Sequence, residues 1–185
     1  MTDTMTIVDG LLTTARQVDS ENCDDRPDID DIQLLVIHGI SLPPGQFGGG
    51  YIEQLFTNSL DPQEHPYFAE IKDLKVSSHL LISRDGIISQ FVPFHKRAWH
   101  AGESRHNNRE CCNDFSIGIE LEGTDDEPYS DAQYESLNKV IDVLQDSYPA
   151  LITDNIVGHC HIAPQRKTDP GVAFDWSRIK EHNLN

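Results

Sequence analysis

Apolar residues along the chain fall in short runs. Leu34–His38 (LLVIH) is branched, apolar and non-alternating, which predicts a strand buried on both faces. Val76–Ile82 and Ile87–Val92 flank Ser83-Arg84-Asp85-Gly86, and Asp-Gly between apolar runs predicts a β-hairpin. Ser116–Glu122 (SIGIELE) alternates with period two. Ile117, Ile119 and Leu121 face one side; Ser116, Gly118, Glu120 and Glu122 face the other. Ile156–His159 reads as a final short strand. The period changes from Asp131 to about Tyr148, where Tyr134, Leu137, Ile141 and Leu144 recur at helical spacing. Ser130 and Gln133 supply a capping box, and Pro149 stops the helix. Further helices are expected near Thr6–Arg16, Tyr51–Asn58 and Asp175–His182. Strands interleaved with helices predict an α/β fold, a single domain over residues 1–185 with a central mixed β-sheet flanked by helices. Ser41–Gly50 (SLPPGQFGGG) is too rich in Pro and Gly to be regular, and is expected to be a mobile loop after a strand end, a common place for a binding site.

A length of 185 residues suits one domain with a real core. No stretch approaches the ~20 apolar residues of a membrane span. Met1–Gly10 carries Asp3 and Asp9, no Lys or Arg and no apolar region of a secretory signal, so a cytoplasmic location is expected. Cys23, Cys111, Cys112 and Cys160 lack zinc-knuckle spacing and read as reduced thiols packed as small hydrophobes. With 31 acidic against 14 basic residues the net charge is −17, which argues against nucleic acid and anionic membranes as partners. The same charge means that a cleft for a carboxylate-bearing substrate needs basic residues of its own.

Nine histidines invite sorting by chemistry. His38 ends an apolar strand at the edge of the Gly/Pro loop. His159 ends another apolar run, and Asp169 follows in Lys167-Thr168-Asp169-Pro170-Gly171. Two imidazoles and a carboxylate, with an open fourth position, are the ligand set of a catalytic zinc. The spacing matches no local motif, so zinc and satisfied structural histidines both remain open on this ground. His161, two residues after His159, would share its face on a strand and is the main rival ligand. His79 reads as a packed strand residue and His100, beside Trp99, as a pocket residue.

The motifs themselves go further. His38 with ISLPPGQFGG, HPYFAEI at 65–71, RDGIISQFVPFHKRAWHAG at 84–102, NDFSIGIELEGT at 113–124 and GHCHIAPQRKTDPG at 158–171 resemble the AmpD amidases. These are the cytosolic 1,6-anhydro-N-acetylmuramoyl-L-alanine amidases of Gram-negative cell-wall recycling. The resemblance runs from about Leu11 to Trp176. It implies a mixed sheet flanked by helices with Zn2+ in a surface cleft, held by His38, His159 and Asp169. It further implies a catalytic glutamate at Glu120, where alternation alone leaves Glu122 equally placed, and a catalytic lysine at Lys167. A monomer acting on a small-molecule muropeptide is expected.

Trp99 and His100 read as a sugar-facing wall, since an aromatic face packs on the apolar side of a sugar ring; a core tryptophan is the alternative. The chain departs from the family pattern in three places. Gly39 stands where Asn is usual, and Lys75 and Cys111 where the family's Arg residues hold stem-peptide carboxylates. Lys cannot make the bidentate contact of Arg. Weaker, more salt-sensitive binding of acidic stems is therefore expected, unless Arg97, Arg105 or Arg109 compensates.

Overall fold

The computed structural model describes residues 4–179. One sheet contains β1 (Arg16–Gln17), β2 (Leu34–Ile40), β3 (Leu80–Ile82), β4 (Ile88–Gln90), β5 (Ser116–Glu122) and β6 (Ile156–Gly158), in the order β6-β2-β5-β3-β4-β1. The helices are α1 (Tyr51–Phe56), α2 (Pro66–Ile71), α3 (Asp131–Ser147) and α4 (His159–Ile162). β2 runs parallel to β5 and β6, and β5 parallel to β3. The β3–β4 hairpin is the antiparallel step that makes the sheet mixed, as Asp85-Gly86 predicts.

Each face of the two central strands has its own cover. Ile117, Ile119 and Leu121 of β5, with Leu35 and Ile37 of β2, pack on Tyr134, Leu137, Ile141 and Leu144 of α3. These are the helical-period positions, and burying each such side chain contributes roughly 1.5–3 kcal/mol. The Ser130 hydroxyl accepts from Gln133 N at 3.1 Å, and the Gln133 side chain accepts from Ser130 N at 3.0 Å, closing the capping box. On the opposite face Leu34 and Val36 pack with Ala101, Cys112, Phe115, Val157 and Ile162. That face is covered too, so all seven residues of β5 are buried and its alternation separates two interiors. A third cluster, with Ile52, Leu55 and Phe56 of α1 against Phe68, Leu81 and Phe91, builds one wall of the site.

Three expectations change. The region Thr6–Arg16 is not a helix. Ile7–Val8 pairs antiparallel with Leu11–Leu12 about Asp9 and Gly10, at φ 50° and 77°, and the chain then enters β1. Asp-Gly takes the left-handed conformations of a tight hairpin turn and so outweighs the helix-like spacing. The last strand stops at Gly158, and His159 begins α4. Within Asp175–His182 the chain makes one turn of 3-10 helix at Trp176–Arg178, and positions after 179 lie outside the described residues. The helix expected at Tyr51–Asn58 is α1. The four cysteines are free, and no helix among the described residues is long and apolar enough to cross a membrane.

Candidate metal centre and active-site cleft

Strand register assembles the site. Glu120 of β5 lies beside His38 of β2, and Gly158 of β6 beside Ile37. His159, one residue further on, therefore arrives next to His38. Asp169 comes in on the loop after α4, where its carbonyl accepts Cys160 N at 2.9 Å. The Tyr129 hydroxyl holds the adjoining residue by donating to Pro170 O at 2.9 Å. It reaches there across Gly39, where a Cβ would stand 2.3 Å from the hydroxyl oxygen. Gly39 thus makes room for Tyr129.

His38 Nδ1, His159 Nδ1 and Asp169 Oδ2 converge. The two nitrogens are 2.9 Å apart, and the carboxylate oxygen is 3.3 Å from the first and 3.1 Å from the second. A tetrahedral ion with bonds of ~2.0–2.1 Å has ligand–ligand edges of about 3.3–3.4 Å. The tautomers agree with that use. His159 Nε2 donates to Ala101 O at 3.1 Å, and His38 Nε2 lies 2.9 Å from His100 Nδ1; with His38 Nε2 as donor in that pair, both Nδ1 atoms would be free to bind a cation in place of their contacts with Asp169. Two imidazole nitrogens and a carboxylate oxygen at these distances are the donor set of a divalent cation, and these residues fit zinc.

The electrostatics follow from burial. Burial holds His38 neutral and lowers its pKa to about 4, against the pull of Asp169, and the neutral ring is the ligating form. Burial alone would raise Asp169, but its bonds to His159 and His38 outweigh this and hold the carboxyl well below the usual range. Glu120 is raised well above an ordinary glutamate, first by burial and then by the charge of Asp169, while Lys167 lowers it. Its Oε1 lies 3.9 Å from His38 Nδ1, and its Oε2 is buried without a partner. This carboxylate points at the cluster with unused acceptor capacity.

A cleft of about 510 Å³ opens over the cluster and is lined by Trp99, Glu120, Asp125, Lys167 and Leu55 among others. Trp99 is half-buried in the wall, with its indole N–H donating to Asp24 at 3.2 Å and its backbone N–H to Ser77 Oγ at 3.1 Å. The sequence reading missed Asp24, Ser77 and Tyr129, because no local pattern links positions so far apart. His100 lines the cleft only at 9% exposure and stands behind His38. The rival ligand His161 is turned away: α4 rotates it off the face of His159, and its Nδ1 accepts Gly158 N at 2.9 Å. Glu122 is engaged elsewhere, accepting Gly48 N at 2.5 Å and Arg84 N at 3.2 Å. Lys75 and Cys111 are exposed and are not among the cleft-lining residues. Arg97 is paired with Asp24 and Asp114, Arg109 with Asp31, and Arg105 with Glu110.

Residues 28–172 match the sequence profile of the N-acetylmuramoyl-L-alanine amidase family. The 1,6-anhydro-N-acetylmuramyl-L-alanine amidase AmpD of Escherichia coli (strain K12) is 60% identical over 176 residues, 95% of this chain and 96% of that protein. AmpD of Haemophilus influenzae is 58% identical over 169 residues, 91% of this chain and 92% of its own. Among solved structures, a selenomethionine derivative of AmpD superposes with a TM-score of 0.92 at 58% identity, covering 95% of this chain and 97% of that one. The amidase AmiD from E. coli, solved with anhydro-N-acetylmuramic acid-L-Ala-D-γ-Glu-L-Lys, gives a TM-score of 0.59 at 27% identity over 95% of this chain and 64% of its own. With a family profile spanning most of its length and relatives at this identity, the chain belongs to the N-acetylmuramoyl-L-alanine amidases.

Proposed function

We propose that the protein is a zinc-dependent hydrolase that cuts the amide between the lactyl group of 1,6-anhydro-N-acetylmuramic acid and L-alanine of the stem peptide, in cytoplasmic muropeptide recycling. The observation that carries the reading is the convergence of His38, His159 and Asp169 beneath a cleft into which a buried Glu120 points. Residues 1–185 then form one amidase domain, acting as a monomer. The substrate class rests on the AmpD relatives, which match over nearly all of the chain.

Zinc held by His38, His159 and Asp169 would supply Lewis acidity, polarising the scissile carbonyl and lowering the pKa of water toward ~7. Glu120 takes a proton from the attacking water and returns it to the L-alanine nitrogen as the C–N bond breaks. Its raised pKa suits both halves of that transfer, since a more basic carboxylate is the better acceptor. The Lys167 ammonium offers charge to the developing oxyanion. Trp99 presents an aromatic face to the sugar, and Asp24 fixes the plane of its ring.

Incubation of purified protein with anhydro-muropeptide, read by mass spectrometry, tests reaction, bond and substrate together. Release of intact stem peptide and anhydro-N-acetylmuramic acid is expected. An unchanged substrate in the presence of zinc overturns the proposal.

A further inference from the structure

Both metal-facing histidines take their outer partner from one dipeptide, His100-Ala101. The side chain of His100 stands 2.9 Å from His38 Nε2, and the carbonyl of Ala101 accepts His159 Nε2 at 3.1 Å. His100 is itself fixed. Its Nε2 meets Ser116 Oγ at 3.1 Å, and its ring lies flat against β5 at Gly118, where a Cβ would come 2.5 Å from the ring. Neither histidine can keep its orientation unless this dipeptide keeps its own.

A single oxygen takes both backbone N–H groups of the dipeptide. Asn113 Oδ1 accepts the backbone N–H of His100 at 3.2 Å and of Ala101 at 2.8 Å. Asn113 sits in the 3-10 turn Cys112–Asp114 that leads into β5, so this turn and the metal centre share one frame. From the other side Arg166 donates to Ala101 O at 2.7 Å and to Glu103 O at 2.8 Å.

We infer that Asn113 is a positioning residue for the metal centre, acting on His38 and His159 together through His100 and Ala101. This rests on the zinc assignment above. With Asn113 in place, His100 Nδ1 is set to accept from His38 Nε2 and Ala101 O accepts from His159 Nε2, the arrangement that would leave both Nδ1 atoms aimed at one cation. Without it the dipeptide relaxes and both lone pairs lose their aim. Direct partners of the ligands, here His100 and Ala101, are worth about 10- to 100-fold in metal affinity or activity, and Asn113 acts on both at once.

The test measures zinc affinity by chelator competition, and the visible spectrum of the cobalt-substituted protein, for wild type, Asn113→Ala and Asn113→Asp. Asn113→Ala is expected to weaken zinc binding about 10- to 100-fold and to shift the cobalt bands, while Asn113→Asp, which keeps the acceptor oxygen, restores both. A role confined to local stability would lower the melting temperature and leave the affinity and spectrum of the folded protein unmoved. Should Asn113→Ala not fold, Asn113→Ser, too short to reach both N–H groups, carries the same measurement. Wild-type affinity and spectrum in a folded Ala or Ser variant, or no recovery in Asn113→Asp, overturn the inference. A wild-type protein that takes up no zinc overturns the zinc assignment itself, which separates the two failures.

Discussion

Replacing Glu120 by Gln removes the ability to accept a proton while preserving shape. The carboxylate is buried, with Oε1 3.9 Å from His38 Nδ1 and Oε2 unpartnered, and in the proposed reading the neighbouring His38 and Asp169 are committed to the metal. General-base catalysis contributes about 10²- to 10⁴-fold, which at ~1.36 kcal/mol per tenfold corresponds to roughly 2.7–5.5 kcal/mol of barrier. Loss of at least about 10²-fold in kcat is expected, with zinc content unchanged. Release of stem peptide measured by chromatography across pH is the assay, because the base works only when ionised. The wild-type rate should fall as pH drops through its pKa, and the Gln variant should lose that limb. The fold has little to lose. Because burial and Asp169 raise the folded pKa above the ordinary 4.5, the metal-free folded state holds this proton more tightly than the unfolded chain. Stability contributed by protonated Glu120 is complete below 4.5 and declines as pH rises toward the folded value, so at neutral pH the Gln variant should melt no lower than wild type. Glu122→Gln, which weakens the tether to Gly48 and Arg84, should cost about 1–3 kcal/mol of stability and keep most of the rate. Equal rate losses in the two variants, or a Glu120→Gln rate within tenfold of wild type, would refute the assignment.

Other outcomes are equally concrete. Purified His159→Ala should lose stoichiometric zinc by metal analysis, whereas His161→Ala, whose ring is turned toward Gly158, should keep it. His79 is fully buried, and burial together with Arg26 lowers its pKa well below 6.5. The unfolded chain therefore gains a proton below pH 6.5 that the folded chain refuses until its own lower pKa. Urea titrations should show stability falling below that pH, by up to ~1.4 kcal/mol per unit from this residue, with the slope reduced in His79→Gln. Leu137→Ala, at 0% exposure under the sheet, should cost about 2–5 kcal/mol in the same titrations and leave kcat nearly unchanged.

Local chemistry made much of this protein legible from its sequence. An apolar run places β2, period-two alternation places β5, Asp85-Gly86 marks the β3–β4 hairpin, and the capping box with its helical period marks α3, because each signal is complete within a few residues. The same rule applied to Asp9-Gly10 would have found the hairpin there that spacing alone reads as helix. The family motifs point to His38, His159, Asp169, Glu120 and Lys167 as candidate site residues, which no periodicity does. Tertiary structure decided the rest. Glu120 and Glu122 share one face of β5 and are equivalent by alternation; parallel register sets Glu120 beside His38, while Gly48 and Arg84 occupy Glu122. His161 is a rival ligand on a strand and excluded on a helix, and the switch occurs at His159 itself. The hold of Asn113 on His100 and Ala101 likewise has no trace in spacing. Backbone preference is set by neighbours a few residues away, whereas the candidate metal cluster joins atoms 121 positions apart, and only the parallel pairing of β6 with β2 brings those atoms within 3 Å.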